Sequence, residues 1–180
     1  MSKKLEIKLL SENATMPKRD RLDAGYDIYS AETVILEPQE KAVIKTDVAV
    51  NIPEGYVGLL TSRSGVSSKT HLVIETGKID AGYQGNLGIN IKNDMEQDNS
   101  MSIYDDLDGQ LDDDVVSVLN IKGDFIQGNN SFNKTVYQIN KGDKLAQLVI
   151  VPIWTPELKE VEEFSSESER GEQGFGSTGF

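Results

Sequence analysis

Asp80 and Tyr83 stand three residues apart inside Gly77-Lys78-Ile79-Asp80-Ala81-Gly82-Tyr83-Gln84-Gly85. A carboxylate so placed can orient a water molecule, and a ring beside it can floor a small pocket. The surrounding glycines carry no Cβ and let the backbone come close to a ligand. The segment lies between two apolar runs and predicts a tight hairpin. A solvated Asp and an exposed Tyr on an ordinary turn would satisfy the same pattern. A second candidate closes the chain: Arg170-Gly171-Glu172-Gln173-Gly174-Phe175-Gly176-Ser177-Thr178-Gly179. Arg170 can grip oxygens bidentately, while backbone N–H groups and the Ser177 and Thr178 hydroxyls can nest an anion. Phe175 can stack on a base. The same composition also describes a flexible Gly/Ser tail with little to bury.

Three more segments carry polar groups that could serve a site. Ala24-Gly25-Tyr26-Asp27-Ile28 sets an acid among apolar residues, and Ser62-Arg63-Ser64-Gly65-Val66 follows the run Tyr56 to Leu60. Lys141-Gly142-Asp143-Lys144-Leu145-Ala146-Gln147-Leu148 completes the set. Taken in order, the five segments resemble the five motifs of the trimeric dUTPase (deoxyuridine triphosphatase) family, over residues 24–179 with one interruption.

That resemblance implies a reaction and a division of roles. Water would attack the α-phosphorus of dUTP, giving dUMP and pyrophosphate and keeping uracil out of DNA. Asp80 matches the carboxylate that orients and partly deprotonates that water. Arg63 and Ser64 match the phosphate-binding pair, with Gly65 beside them, and Ser64 would donate to the bridging oxygen. Gln147 matches a neutral phosphate or water contact. Asp27 matches the acid that holds Mg²⁺ through its water shell. Tyr83 matches the ring under the deoxyribose, where a 2′-hydroxyl would clash. Backbone groups of Gly77, Ile79 and Gly88 would read the uracil edge. Arg170, Phe175, Gly176, Ser177 and Thr178 would close over the occupied site. A jelly-roll fold and a homotrimer are implied with it.

The elements that must position these residues are mostly strands. Val34 to Leu36, Lys41 to Thr46, Val48 to Ile52, Tyr56 to Thr61, Leu72 to Ile74, Leu87 to Ile91, Thr135 to Ile139 and Leu145 to Val151 are short and rich in β-branched residues. Glu54-Gly55, Thr76-Gly77 and Lys141-Gly142-Asp143 punctuate them as turns. The spacing predicts an all-β sandwich or barrel with one short helical piece after Ser64. Residues 1–155 form the predicted barrel core, and 156–180 a flexible arm. The acidic stretch Glu157 to Glu169 is long enough to let that arm reach a neighbouring subunit.

Composition narrows the chemistry. The 180 residues include no cysteine, so disulfides, a thiolate nucleophile and a cysteine-ligated metal are excluded. A single histidine, His71, rules out a two-histidine zinc site and reads as structural. No long apolar stretch follows Met-Ser-Lys-Lys, so the expected place is the cytoplasm, of a host cell if a phage encodes the chain. No membrane contact and no direct nucleic-acid binding are expected. The net charge of −12 means that local cations and Mg²⁺ must attract an anionic nucleotide.

Much of that negative charge sits in one place. Residues 93–130 carry ten acids against one base, Lys122. This region reads as an insertion carrying a small element of its own, since Val115 to Leu119 is strand-like. Asp106, Asp108 and Gly109 fit an EF-hand loop, but Tyr104 and Val115 occupy the first and last ligand positions, and the loop fails. A solvated acidic face and a protein-binding surface are the two readings left. Some phage-type dUTPases with such inserts also bind bacterial repressors, so the resemblance admits a regulatory partner there. A repressor-binding protein on the same scaffold, or a dCTP deaminase relative, are the alternatives; the deaminase should lack the Phe-containing tail.

Overall fold

Gly88–Asn93 turns Ile89, Ile91 and Asn93 inward and Asn90 outward, the two-residue period of a strand with one face in a core. The computed structural model describes residues 4–96, 116–127, 134–169 and 171. Among them, thirteen strands and one short helix build four small sheets. β1 (Glu6–Leu9) pairs with β5 (Val48–Asn51). β2 (Tyr26–Tyr29), β13 (Lys144–Pro152), β6 (Tyr56–Ser62) and β8 (Gly77–Ile79) lie side by side in that order. β4 (Lys41–Lys45), β9 (Gly88–Asn93) and β7 (Leu72–Ile74) form a third sheet. The fourth runs β11 (Phe125–Gln127), β10 (Val116–Leu119), β12 (Lys134–Ile139), β3 (Val34–Leu36). Every pairing is antiparallel except β10 with β12. The result is the predicted all-β, jelly-roll-like sandwich, with α1 (Ser64–Lys69) where the helical piece was expected.

One apolar cluster ties the sheets together. Ile28, Leu36, Ile44, Leu60, Leu72, Ile89, Ile91, Leu119, Tyr137 and Leu148 all belong to it, so every sheet of three or more strands contributes. Packing at β6 is close at Gly58, where a Cβ would fall 2.6 Å from Ile52 Cδ1 and 3.0 Å from Leu148 Cδ1, so these buried side chains would have to shift to admit one. The buried Asn93 bridges two sheets by donating from Nδ2 to the Leu36 carbonyl at 3.1 Å, which satisfies a polar group the core would otherwise penalise.

Two expectations need correction. Val116–Leu119 is not a private element of an insert: β10 belongs to a four-stranded sheet, and its Leu119 packs in the core. Nor is 77–85 the tip of a hairpin. β8 pairs with β6 and β9 with β4 and β7, so the segment crosses from one sheet to another. Apolar runs flanking a Gly-rich turn suggest pairing, but here each run finds its ladder elsewhere. No described helix is long and apolar enough to cross a membrane.

Candidate functional site

Three neighbouring strands converge on Asp27. On β2 it stands opposite Gln147 of β13, and Gln147 stands opposite Thr61 of β6. One residue past β6, Arg63 places Nε 2.8 Å from Asp27 Oδ1, and from β13 Lys144 places Nζ 2.9 Å from Oδ2. Burial pushes the Asp27 carboxyl upward. The Lys144 hydrogen bond, the Arg63 and Lys144 charges and the Gln147 hydrogen bond together outweigh it and hold the group below its ordinary range. Lys144 is raised in turn, by the Asp27 hydrogen bond first and its charge second. Arg63 Nε is buried and makes no hydrogen bond, so its tie to Asp27 is an ion pair held out of line.

The backbone around this cluster is as constrained as the side chains. The Arg63 carbonyl accepts from Val66 N at 3.0 Å and Ser67 N at 3.1 Å, which seats Arg63 at the start of α1. Ser64 and Gly65 are exposed beside it, and a Cβ at Gly65 would meet nothing within 4 Å. Gly25 differs: its Cβ would fall 3.0 Å from Gln147 Cβ, so the entry to β2 lies flush against β13.

The second group of predicted residues follows β8. Tyr83 N donates to the Asp80 carbonyl at 3.2 Å, closing a turn whose third residue, Gly82, has φ +84°. That is the position where a type II turn favours glycine. Asp80 and Tyr83 are both exposed on this turn. Tyr83 Oη donates to the Asn86 carbonyl at 3.1 Å. Asn86 is itself held, because its Nδ2 donates to Asp47 Oδ1 at 2.8 Å. Among the described residues β8 is the outermost strand of its sheet, so one side of Gly77–Ile79 has no backbone partner there. β7 covers β9 from Ile91 to Asn93, which leaves Gly88 beyond that ladder. These are the backbone positions expected to read a base.

The two groups do not meet within one chain. Ile79 stands opposite Gly58, so Asp80 leaves β8 beside Val57, while Arg63 lies past the other end of β6. Six residues of extended chain separate these levels, roughly 20 Å at about 3.3 Å per residue. A carboxylate and a hydroxyl serving one phosphorus must be far closer than that. Lys144 was not singled out by sequence reasoning, although it lies in a quoted motif. Arg170, Phe175, Gly176, Ser177 and Thr178 lie outside the described residues, as do 97–115 and 128–133 of the acidic region. Among the described residues no three acids or histidines gather as a metal-ligand cluster. His71 has a structural setting: its backbone N–H donates to Tyr137 Oη at 3.1 Å.

A family model for dUTPase matches residues 12–105 and 125–179, and the unmatched gap falls within the acidic region. The mitochondrial deoxyuridine 5′-triphosphate nucleotidohydrolase of Homo sapiens is 34% identical over 176 residues. That alignment covers 97% of this chain and 54% of the human protein, so the chain spans about half of that relative's length. The dUTPase of Staphylococcus bacteriophage 80alpha, solved with dUpNHpp, is 63% identical with a TM-score of 0.85, covering 99% of this chain and 100% of that one. A mutant dUTPase from phage phi11 of S. aureus, described as coordinating a structural Mg(II) ion, is 66% identical with a TM-score of 0.79, covering 91% of this chain and 100% of that one.

Proposed function

The chain belongs to the dUTPase family, and on that premise we propose that it hydrolyses dUTP to dUMP and pyrophosphate. The observation that carries the reading is the division of labour along β6. One end presents Arg63, Lys144, Gln147 and the exposed Ser64, a cation-bearing set suited to phosphates. The other end presents a water-orienting carboxylate, an aromatic ring and an open backbone edge, suited to a nucleoside.

Asp80 orients the attacking water and accepts its proton as the bond to the α-phosphorus forms. Arg63 holds phosphate oxygens, and Ser64 donates to the bridging oxygen as the leaving pyrophosphate gains charge. Gln147 supplies a neutral contact to phosphate or water. Tyr83 lies under the deoxyribose, and the edges at Gly77, Ile79 and Gly88 read uracil. A site built to pair a particular donor and acceptor pattern rejects cytosine, because the wrong base leaves buried polar groups unpaired. The tail residues Arg170, Phe175, Gly176, Ser177 and Thr178 close over the bound nucleotide.

Asp27 fits magnesium through water. Its two oxygens already face cations at 2.8 and 2.9 Å, which leaves little room for direct ligation, and this ion keeps several of its waters. Asp27 would hold the hydrated ion only together with a bound triphosphate, whose charge offsets Arg63 and Lys144, and when bound the ion neutralises triphosphate charge. Because Asp80 and Arg63 sit at opposite ends of one strand, a complete site takes them from different copies of the chain. This favours the homotrimer of the family.

The test is pyrophosphate release with Mg²⁺ from dUTP, run beside dCTP, dTTP and UTP. Release from dUTP alone is expected. Silence from folded protein, or equal rates from all four, would overturn the reading.

A second role has an observation of its own. Among the described residues β11 is the outermost strand of its sheet, and its Ile126 is exposed beside the acidic region, an arrangement suited to a protein partner such as a bacterial repressor. Replacing 97–115 with a short Gly/Ser link keeps every described strand. Repressor binding should fall while hydrolysis persists, and unchanged binding would remove the assignment to that segment.

A further inference from the structure

Gly85 is a glycine whose reason is not its backbone. Its φ lies outside the left-handed range that Gly55, Gly82, Gly123, Gly142 and Gly171 occupy, so no left-handed turn demands glycine there. What forbids a side chain there is Tyr83. A Cβ at position 85 would fall 2.5 Å from Tyr83 Oη, 2.6 Å from Cζ and 3.0 Å from Cε2, and these are its three nearest atoms. The Tyr83 ring is folded back over the Gly85 Cα and anchored there by its hydroxyl on the Asn86 carbonyl at 3.1 Å.

The acceptor of that anchor is fixed independently. Asn86 Nδ2 donates to Asp47 Oδ1 at 2.8 Å, Ser11 Oγ donates to Asp47 Oδ2 at 2.6 Å, and Leu87 N donates to the Val48 carbonyl at 2.8 Å. The carbonyl therefore cannot follow a displaced ring. A Cβ at 85 would have to push the ring by roughly 1 Å to restore ordinary carbon contact. Tyr83 is 47% exposed, so the ring can swing and the turn need not deform.

We propose that Gly85 is a positioning residue for sugar discrimination, setting the Tyr83 ring through the space its missing Cβ leaves and the Asn86 carbonyl beyond it. The proposal rests on the reading above that Tyr83 lies under the deoxyribose. With the ring seated on Gly85, its distance from the 2′ position is defined by the turn. With the ring displaced, a 2′-hydroxyl is no longer excluded, and dUTP loses the surface on which its sugar packs.

The experiment compares kcat/KM for dUTP and UTP, with Mg²⁺, in the full-length parent, Gly85→Ala, Tyr83→Ala and the double variant. Gly85→Ala should lower the dUTP-to-UTP preference about tenfold, the scale of one misfitted group in a pocket, mainly through KM for dUTP. It should melt within a few degrees of the parent, because the strain falls on an exposed ring. In the Tyr83→Ala background the same substitution should change nothing, since the coupling runs through the ring. A parental preference in Gly85→Ala, or an equal effect with and without the ring, overturns the proposal. If Tyr83→Ala itself keeps the parental preference, the placement of Tyr83 at the sugar fails first and the proposal falls with it.

Discussion

Lys144 Nζ lies 2.9 Å from Asp27 Oδ2, on the opposite side of that carboxylate from Arg63. The contact depends on an irregularity in the ladder. Between Lys144 and Ala146 the register of β13 against β2 shifts, so Lys144 and Gln147, an odd number of residues apart, both reach Asp27. A regular strand would have sent them to opposite faces. Two cations around one acid leave a locally positive patch on a protein whose net charge is −12. An anionic substrate can therefore be attracted to this patch despite the overall field.

Replacing Lys144 with methionine should move the titration of Asp27 upward. The carboxyl lies below its ordinary 3.8 in the folded protein, so its contribution to stability is present above pH 3.8 and lost as pH falls through the lowered value. Lys144 lies above its ordinary 10.5, so its contribution is present below pH 10.5 and lost as pH rises through the raised value. Parent and variant should differ in melting temperature near neutrality and converge in strong acid. Carbon NMR of the Asp27 carboxyl reads the shift directly. An unmoved titration would mean that Arg63 and Gln147 set the acid without Lys144.

Asp80→Asn should bind dUTP and turn it over about a thousandfold more slowly, the usual loss when a positioned general base is removed. The amide keeps the size of the side chain but cannot take the proton of the attacking water. Isothermal titration with a non-hydrolysable analogue checks binding, and single-turnover kinetics checks chemistry. Parental turnover would take the proton-accepting role away from Asp80.

The individual strands were legible because their signal is local. Val34 to Leu36 and Leu72 to Ile74 are apolar runs bounded by turns, and they coincide with β3 and β7. β2 was not predicted, because Tyr26-Asp27-Ile28-Tyr29 puts a charge in mid-strand, tolerable only with Arg63 and Lys144 beside it. Pairing was not legible at all. Whether β8 joins β9 or β6 depends on contacts distant in sequence, and the hairpin expectation failed on that point. The register shift that brings Lys144 to Asp27 likewise leaves no mark on residue type. The same limit hid the separation of Asp80 from Arg63, which follows from ladder register and from nothing in either motif.

Tyr137→Phe should destabilise the fold and spare the chemistry. Tyr137 is buried, its Oη accepts from His71 N at 3.1 Å, and burial raises its hydroxyl above the ordinary value, with the His71 hydrogen bond opposing. Removing the hydroxyl strands the His71 N–H beside the core, at a cost of about 1–2 kcal/mol. Urea unfolding should show the lower midpoint, with kcat/KM for dUTP unchanged. A parental midpoint would mean that water replaces the hydroxyl.

The separation along β6 makes a prediction about mixed assemblies. Asp80→Asn and Arg63→Ala copies should each be inactive alone, because every site in either assembly lacks one group. Mixed in equal amounts after dissociation and reassembly, they should recover activity. A site takes Asp80 from one copy and Arg63 from another, so random assembly into a closed ring makes about a quarter of the sites intact. The recovered rate should approach that fraction of the parent's, with the parental preference for dUTP over UTP. Were both groups drawn from a single chain, no mixed site could hold an intact pair, and the mixture would stay as inactive as its components.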